Sequence, residues 1–127
     1  MHGKHLFEYA VIRLVPKVER EEFVNVGVVM CCKRQNYIKS QIELDEQKVQ
    51  ALDPEVDLEL LKSYLDSFDK VCKGENSENP ISLQDAASRF RWLTAARSSI
   101  LQTSRPHSGF SEDLDQTLKS LFEQYVA

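Results

Sequence analysis

The residues best equipped for chemistry are cationic. Arg89, Arg91, Arg97 and Arg105 stand between Ala86 and His107 with no acidic residue among them. Elsewhere the chain is acidic: eleven carboxylates face four lysines between Glu43 and Glu78, and the net charge is −4. A guanidinium fork matches phosphate or carboxylate in a bidentate way, so a locally basic segment in an acidic chain is a candidate anion site. Arg13 belongs with this set, because its neighbours Ile12 and Leu14 are apolar and a half-buried arginine needs a counter-charge or several carbonyls. Asn25 and Gly27, two residues apart on one strand face, place a polar side chain beside a bare stretch of backbone. The candidate anion-binding residues are therefore Arg13, Asn25, Gly27, Arg97, Arg105 and His107. The competing account is structural: the arginines pair with Glu8, Glu43 or helix acids, each surface pair being worth only ~0–1 kcal/mol. By the same logic Asn25 bonds a neighbouring turn or strand, and Gly27 marks a bulge.

Other chemistries have weaker support. His107, in Pro-His-Ser-Gly, is the only histidine away from the N-terminus, so acid–base work would fall to it first. Ser104 and Ser108 lie near it without a Gly-x-Ser-x-Gly elbow, and no catalytic residue is assigned. Cys31, Cys32 and Cys72 lack Cys-x-x-Cys spacing, and no metal is expected beyond adventitious capture by His2 and His5. The four glycines are not clustered, so no phosphate loop and no cofactor are expected. Trp92 beside arginines is either a stacking platform for a base or a core contact.

The net charge argues against general nucleic-acid coating and against anionic membranes. No apolar run reaches the ~20 residues that span a bilayer, and no signal peptide is apparent. An odd cysteine count, with adjacent Cys31 and Cys32 on opposite strand faces, points to reduced thiols and a cytoplasmic protein.

These side chains need a scaffold, and one stretch organises it. Residues 23–32, Phe-Val-Asn-Val-Gly-Val-Val-Met-Cys-Cys, have the β-branched content of a central strand. Read with period two, Val24, Val26, Val28, Met30 and Cys32 share an apolar face. Residues 6–15 form a strand before it, ended by Pro16. A third strand at 37–44 has one wet face. The pattern then turns helical: a short helix at 45–52, and a long one at 54–73 opened by Asp53-Pro54 and closed by Gly74. A third helix runs from a Ser82 cap to about residue 96. Residues 98–104 return as a fourth strand, His107-Ser108-Gly109 is a loop, and a Ser111-capped helix ends the chain. The expectation is one α+β domain over residues 1–127, a mainly antiparallel sheet of three to four strands with about four helices on one face.

Several of these pieces recur in one family. Tyr9-Ala10-Val11-Ile12-Arg13 with Pro16, then residues 23–28, and later Arg91-Trp92-Leu93-Thr94-Ala95, Arg97-Ser98, Thr103, His107 and Gly109, resemble a bacterial domain of unknown function, number three-zero-three-seven. Ala95-Ala96 depart from the apolar residue and proline usual there. The resemblance implies a single-domain protein often encoded beside a HipA-like kinase, and so a possible protein partner. It implies no activity. The leading expectation is a non-enzymatic accessory or protein-binding domain using an exposed sheet edge or the basic segment from Arg89 to His107. The alternative is a small enzyme or ligand-binding protein that grips an anionic group through the Arg/His cluster.

Overall fold

The computed structural model describes residues 3–75, 78–97 and 99–126. Strand β1 (His5–Leu14) pairs with β2 (Val24–Cys32), which pairs with β3 (Tyr37–Ile42). Helices α1 (Glu46–Leu52), α2 (Leu58–Lys73) and α3 (Ala86–Leu93) follow, then β4 (Leu101–Thr103), β5 (His107–Ser111) and α4 (Leu114–Tyr125). All pairings are antiparallel. β4 and β5 share the far side of β1, β4 along Ile12–Leu14 and β5 along His5–Tyr9. The α+β class and its four helices are as expected, and the sheet has five strands rather than three or four. The additional strand is β5: His107-Ser108-Gly109 is ladder, not loop.

The β1–β2 register slips by one residue between Ile12 and Arg13: Ile12 faces Gly27, Arg13 faces Asn25, and Val26 is the extra residue. Such a bulge reverses the alternation of side chains. Val24 and Val26 therefore share a face with Val29 and Cys31, while Val28, Met30 and Cys32 point to the other. Strict period two across 23–32 does not hold for this reason. Both faces of β2 are apolar, so both must be covered.

The first face, with Ala10, Ile12 and Leu14 of β1, packs against Val49 of α1, Leu61, Leu65 and Phe68 of α2, and Phe90 and Leu93 of α3. The second, with Phe7 and Met30, packs against Leu114, Leu118 and Phe122 of α4. The helices are thus split between the two sides, a correction to the single helical face expected from sequence. The apolar stripe of α4 has no unclaimed surface on the first face, and the bulge creates one on the second.

Several caps sit later than the sequence signals implied. Asp53-Pro54 is a turn in which Asp53 Oδ1 accepts from Glu55 N (3.1 Å), and Asp57 caps α2 through Leu60 N (3.1 Å). Asp85, not Ser82, caps α3 (2.8 Å to Ser88 N), and Asp113, not Ser111, caps α4 (3.1 Å to Gln116 N). At α3 and α4 aspartate takes the place of an earlier serine because an ionised acceptor also answers the helix dipole, whereas at α2 the earlier Asp53 is spent on its own turn. Gly74 closes α2 at φ 72°, as expected. Of the fourth strand expected at 98–104, Leu101–Thr103 are observed and Ser98 lies outside the described residues.

Gly27 sits at the bulge because β3 presses on it: a Cβ there would stand 2.6 Å from the Gln41 carbonyl oxygen and 3.2 Å from Ile12 Cδ1. The first contact is backbone and cannot swing away. Gly27→Ala should cost about 1–3 kcal/mol by overpacking, read as a lowered midpoint in urea denaturation with an unchanged slope.

Candidate functional site

The six expected anion-site residues do not converge. Arg13 and Asn25 are cross-strand partners on the α4 side of the sheet. Asn25 Nδ2 donates to the Tyr125 carbonyl (3.1 Å), tying β2 to the end of α4. The Arg13 guanidinium lies over the Phe23 ring, 4.2 Å from its centroid. Arg13 Nε and Asn25 Oδ1 are both buried without a hydrogen-bond partner. His107 also faces α4, its ring tilted 35° to that of Tyr9 with centroids 5.5 Å apart, and Tyr9 Oη meets Tyr125 Oη at 3.0 Å. Yet Tyr9 and Arg13 are four residues apart on β1, about 13 Å at the usual rise, and buried Val11 stands between them.

Arg97 is on the opposite side. It stacks over Trp92, 4.5 Å from the ring centroid, and donates to the Trp92 carbonyl. Arg105 is exposed, in the gap between β4 and β5. Gly27 lies against the Gln41 carbonyl of β3, where a side chain would not fit. Arg89 is structural: its Nη1 donates to the Gln84 carbonyl (2.6 Å) and its Nη2 to that of Cys72 (3.4 Å). Arg91 Nη2 donates to Ser88 Oγ (3.4 Å). The arginines of the basic segment are therefore dispersed: Arg89 and Arg91 lie on α3, Arg97 in the loop after it, and Arg105 in the gap between β4 and β5.

Beside Arg13 a shallow cavity of about 520 Å³ is lined also by Val15, Glu19, Glu21, Phe23 and Gln102. Its two carboxylates compete with any anion for the guanidinium.

A different surface gathers positive charge. Leu6 and Phe110 are directly paired across β1 and β5 and stay exposed, by 57% and 69%. Lys4, Lys33 and Arg34 line the same open concavity of about 980 Å³. Sequence reasoning missed it because Phe110 fell beyond the expected loop. The Gly109-Phe110-Ser111 alternation was the available signal.

The thiols are poor nucleophiles. Cys31, Cys32 and Cys72 are free and buried. Burial, helped by nearby Glu8, pushes Cys31 up to about 12, and burial pushes Cys72 up to about 11. Among the described residues no three His, Cys, Asp or Glu side chains group where a metal ion could sit. His2, half of the adventitious pair, lies outside them. No helix among the described residues is long and apolar enough to cross a membrane.

The molecule is thus an α+β protein whose bulged antiparallel sheet is covered on both sides and whose exposed Leu6–Phe110 pair shares a concavity with Lys4, Lys33 and Arg34. The chain belongs to the family described as "Protein of unknown function (DUF3037)", which it matches over residues 9–126. No curated protein and no solved structure matches it.

The buried thiols give a direct expectation. The native protein should resist thiol-specific alkylation at pH 8, and all three cysteines should react once it is unfolded in urea. With folded pKa values above the unfolded value of 9.0, Cys31 and Cys72 bind more protons folded than unfolded in alkali. Stability is then fully present below pH 9 and declines as pH rises towards 11 and 12, by up to about 1.4 kcal/mol per unit per thiol, which a pH series of urea melts would show.

Proposed function

We propose that the chain is a one-domain, non-enzymatic accessory protein of the bacterial cytoplasm, and that it binds an acidic segment of a partner protein along β5. The observation that carries this reading is the Leu6–Phe110 pair, exposed side by side inside a rim of Lys4, Lys33 and Arg34. Among the described residues β5 pairs with β1 alone, so its outer edge offers main-chain groups to an added strand. Apolar side chains of that strand would cover Phe110 and Leu6, and its acidic ones would meet the cations, which steer encounter and set specificity. The family resemblance makes a HipA-like kinase the leading partner.

The alternative, anion recognition by the Arg/His cluster, keeps support at Arg13 and Asn25, cross-strand partners whose buried Nε and Oδ1 have no hydrogen-bond partner among the described residues.

Co-expression with a HipA-like kinase tests the main reading. A complex should co-elute on gel filtration. Phe110→Glu should weaken it at least about tenfold, as loss of a central anchor does, and Lys33→Glu with Arg34→Glu should do the same while leaving the urea midpoint unchanged. A complex that survives both changes, or no complex at all, would overturn it.

A further inference from the structure

At the other end of β1 lies a cavity of different character. It measures about 290 Å³ and lies between α2, α3 and β4. Phe68, Val71 and Leu93, all buried in the first-face core, contribute to its lining together with Leu101 of β4. Tyr64 and Trp92 also line it and remain 40% and 39% exposed. Two aromatic rings left partly in water, beside a cavity with an apolar lining, offer exposed ring surface that a planar group could cover.

Arg97 lines the same cavity. Its Cζ sits 4.5 Å from the Trp92 ring centroid, and one bond to the Trp92 carbonyl anchors it. A guanidinium carries five N–H donors, so most of the fork is not spent by that bond. No carboxylate among the described residues pairs with Arg97, and no acidic residue lines the cavity. Asn79 adds a polar group: its Oδ1 is committed to Ile81 N (3.0 Å), which leaves its amide N–H₂ as the donor on offer. The cavity is thus largely aromatic and apolar, with Arg97 and Asn79 as donors on its lining and no carboxylate among its described lining residues.

We propose that this cavity is a small-molecule site for a planar aromatic ring carrying one anionic group, a carboxylate or a phosphate. The ring lies against Trp92 and Tyr64, and the anion takes the free edge of Arg97. The volume admits one ring system with its acidic substituent and excludes a dinucleotide. The site is independent of the β5 surface, because Leu6 and Leu14 mark opposite ends of β1, about 27 Å apart at the usual rise.

Trp92 is the only tryptophan, so one indole N–H resonance reports on the cavity in a ¹H–¹⁵N spectrum. Adenosine 5′-monophosphate and indole-3-acetate are the probes, with adenosine and indole-3-acetamide as their uncharged counterparts. Both acids, or the one whose source the site serves, should shift the indole resonance saturably. The neutral counterpart should bind about tenfold more weakly, as expected for one lost charge-assisted hydrogen bond. Arg97→Gln should abolish that preference, and Arg97→Lys should restore part of it, with the rest of the spectrum reporting an intact fold in each variant. Preference for the nucleotide or for the arene acid identifies the source. No saturable shift by either acid at 10 mM probe, equal binding of acid and neutral forms, an unchanged preference in Arg97→Gln, or binding only of a single-stranded oligonucleotide would overturn the proposal.

Discussion

One extra residue in β2 governs the architecture. Val26 is inserted opposite the Ile12–Arg13 step, and from there on the strand presents its side chains to the other face. Val26 and Val29 look to the α2–α3 side, Val28 and Met30 to α4, and all four are fully buried. At about 1.5–3 kcal/mol for each large apolar side chain removed from water, neither face of this strand can be left wet. The split of helices between the two sides follows from that.

The second constraint is on the far side of β1. A single strand would run from Leu101 to Ser111, but Arg105-Pro106 interrupts it, since proline has no N–H to give the ladder. Ser104 bridges the break: its backbone N donates to the Val11 carbonyl and its Oγ accepts from Val11 N, both at 2.8 Å. β1 therefore stays satisfied while its partner lane divides in two. The division also separates the surfaces: the aromatic cavity borders β4 and the apolar, cation-ringed patch borders β5.

What sequence made legible was local and periodic. The β1–β3 meander, the amphipathic α2 with Gly74 behind it, and the terminal helix all carry patterns of ten residues or so that chemistry enforces. The five-residue β5 was lost because Pro-His-Ser-Gly has turn composition, and its place in the sheet comes from Phe7 and Tyr9 rather than from itself. The six residues of the expected anion site are held apart by geometry. Arg13 and Arg97 have the same chemistry, but whether two arginines share a face depends on strand parity and on a short loop after α3, neither of which residue type encodes. Asn25 is the converse case: its pairing with a backbone partner is what a half-buried amide does by default, here across 100 residues to Tyr125.

The distribution of ion pairs separates structural cations from available ones. Lys62, Lys70 and Lys73 are answered by carboxylates on or beside α2, and Lys39 by Asp115, whose carboxyl is held below its usual range by Lys39 and the Tyr37 hydroxyl. Lys4, Lys33 and Arg34 have no ion pair among the described residues, although Lys33 adds weakly to the effect of the Ser88 N–H in lowering Asp85. In a chain with net charge −4, acids for pairing were abundant. Three cations brought together around exposed Leu6 and Phe110 repel one another and gain nothing from burial. An acidic partner removes that repulsion and covers the apolar pair in one step, which is why this surface, rather than the scattered arginines, carries the functional reading.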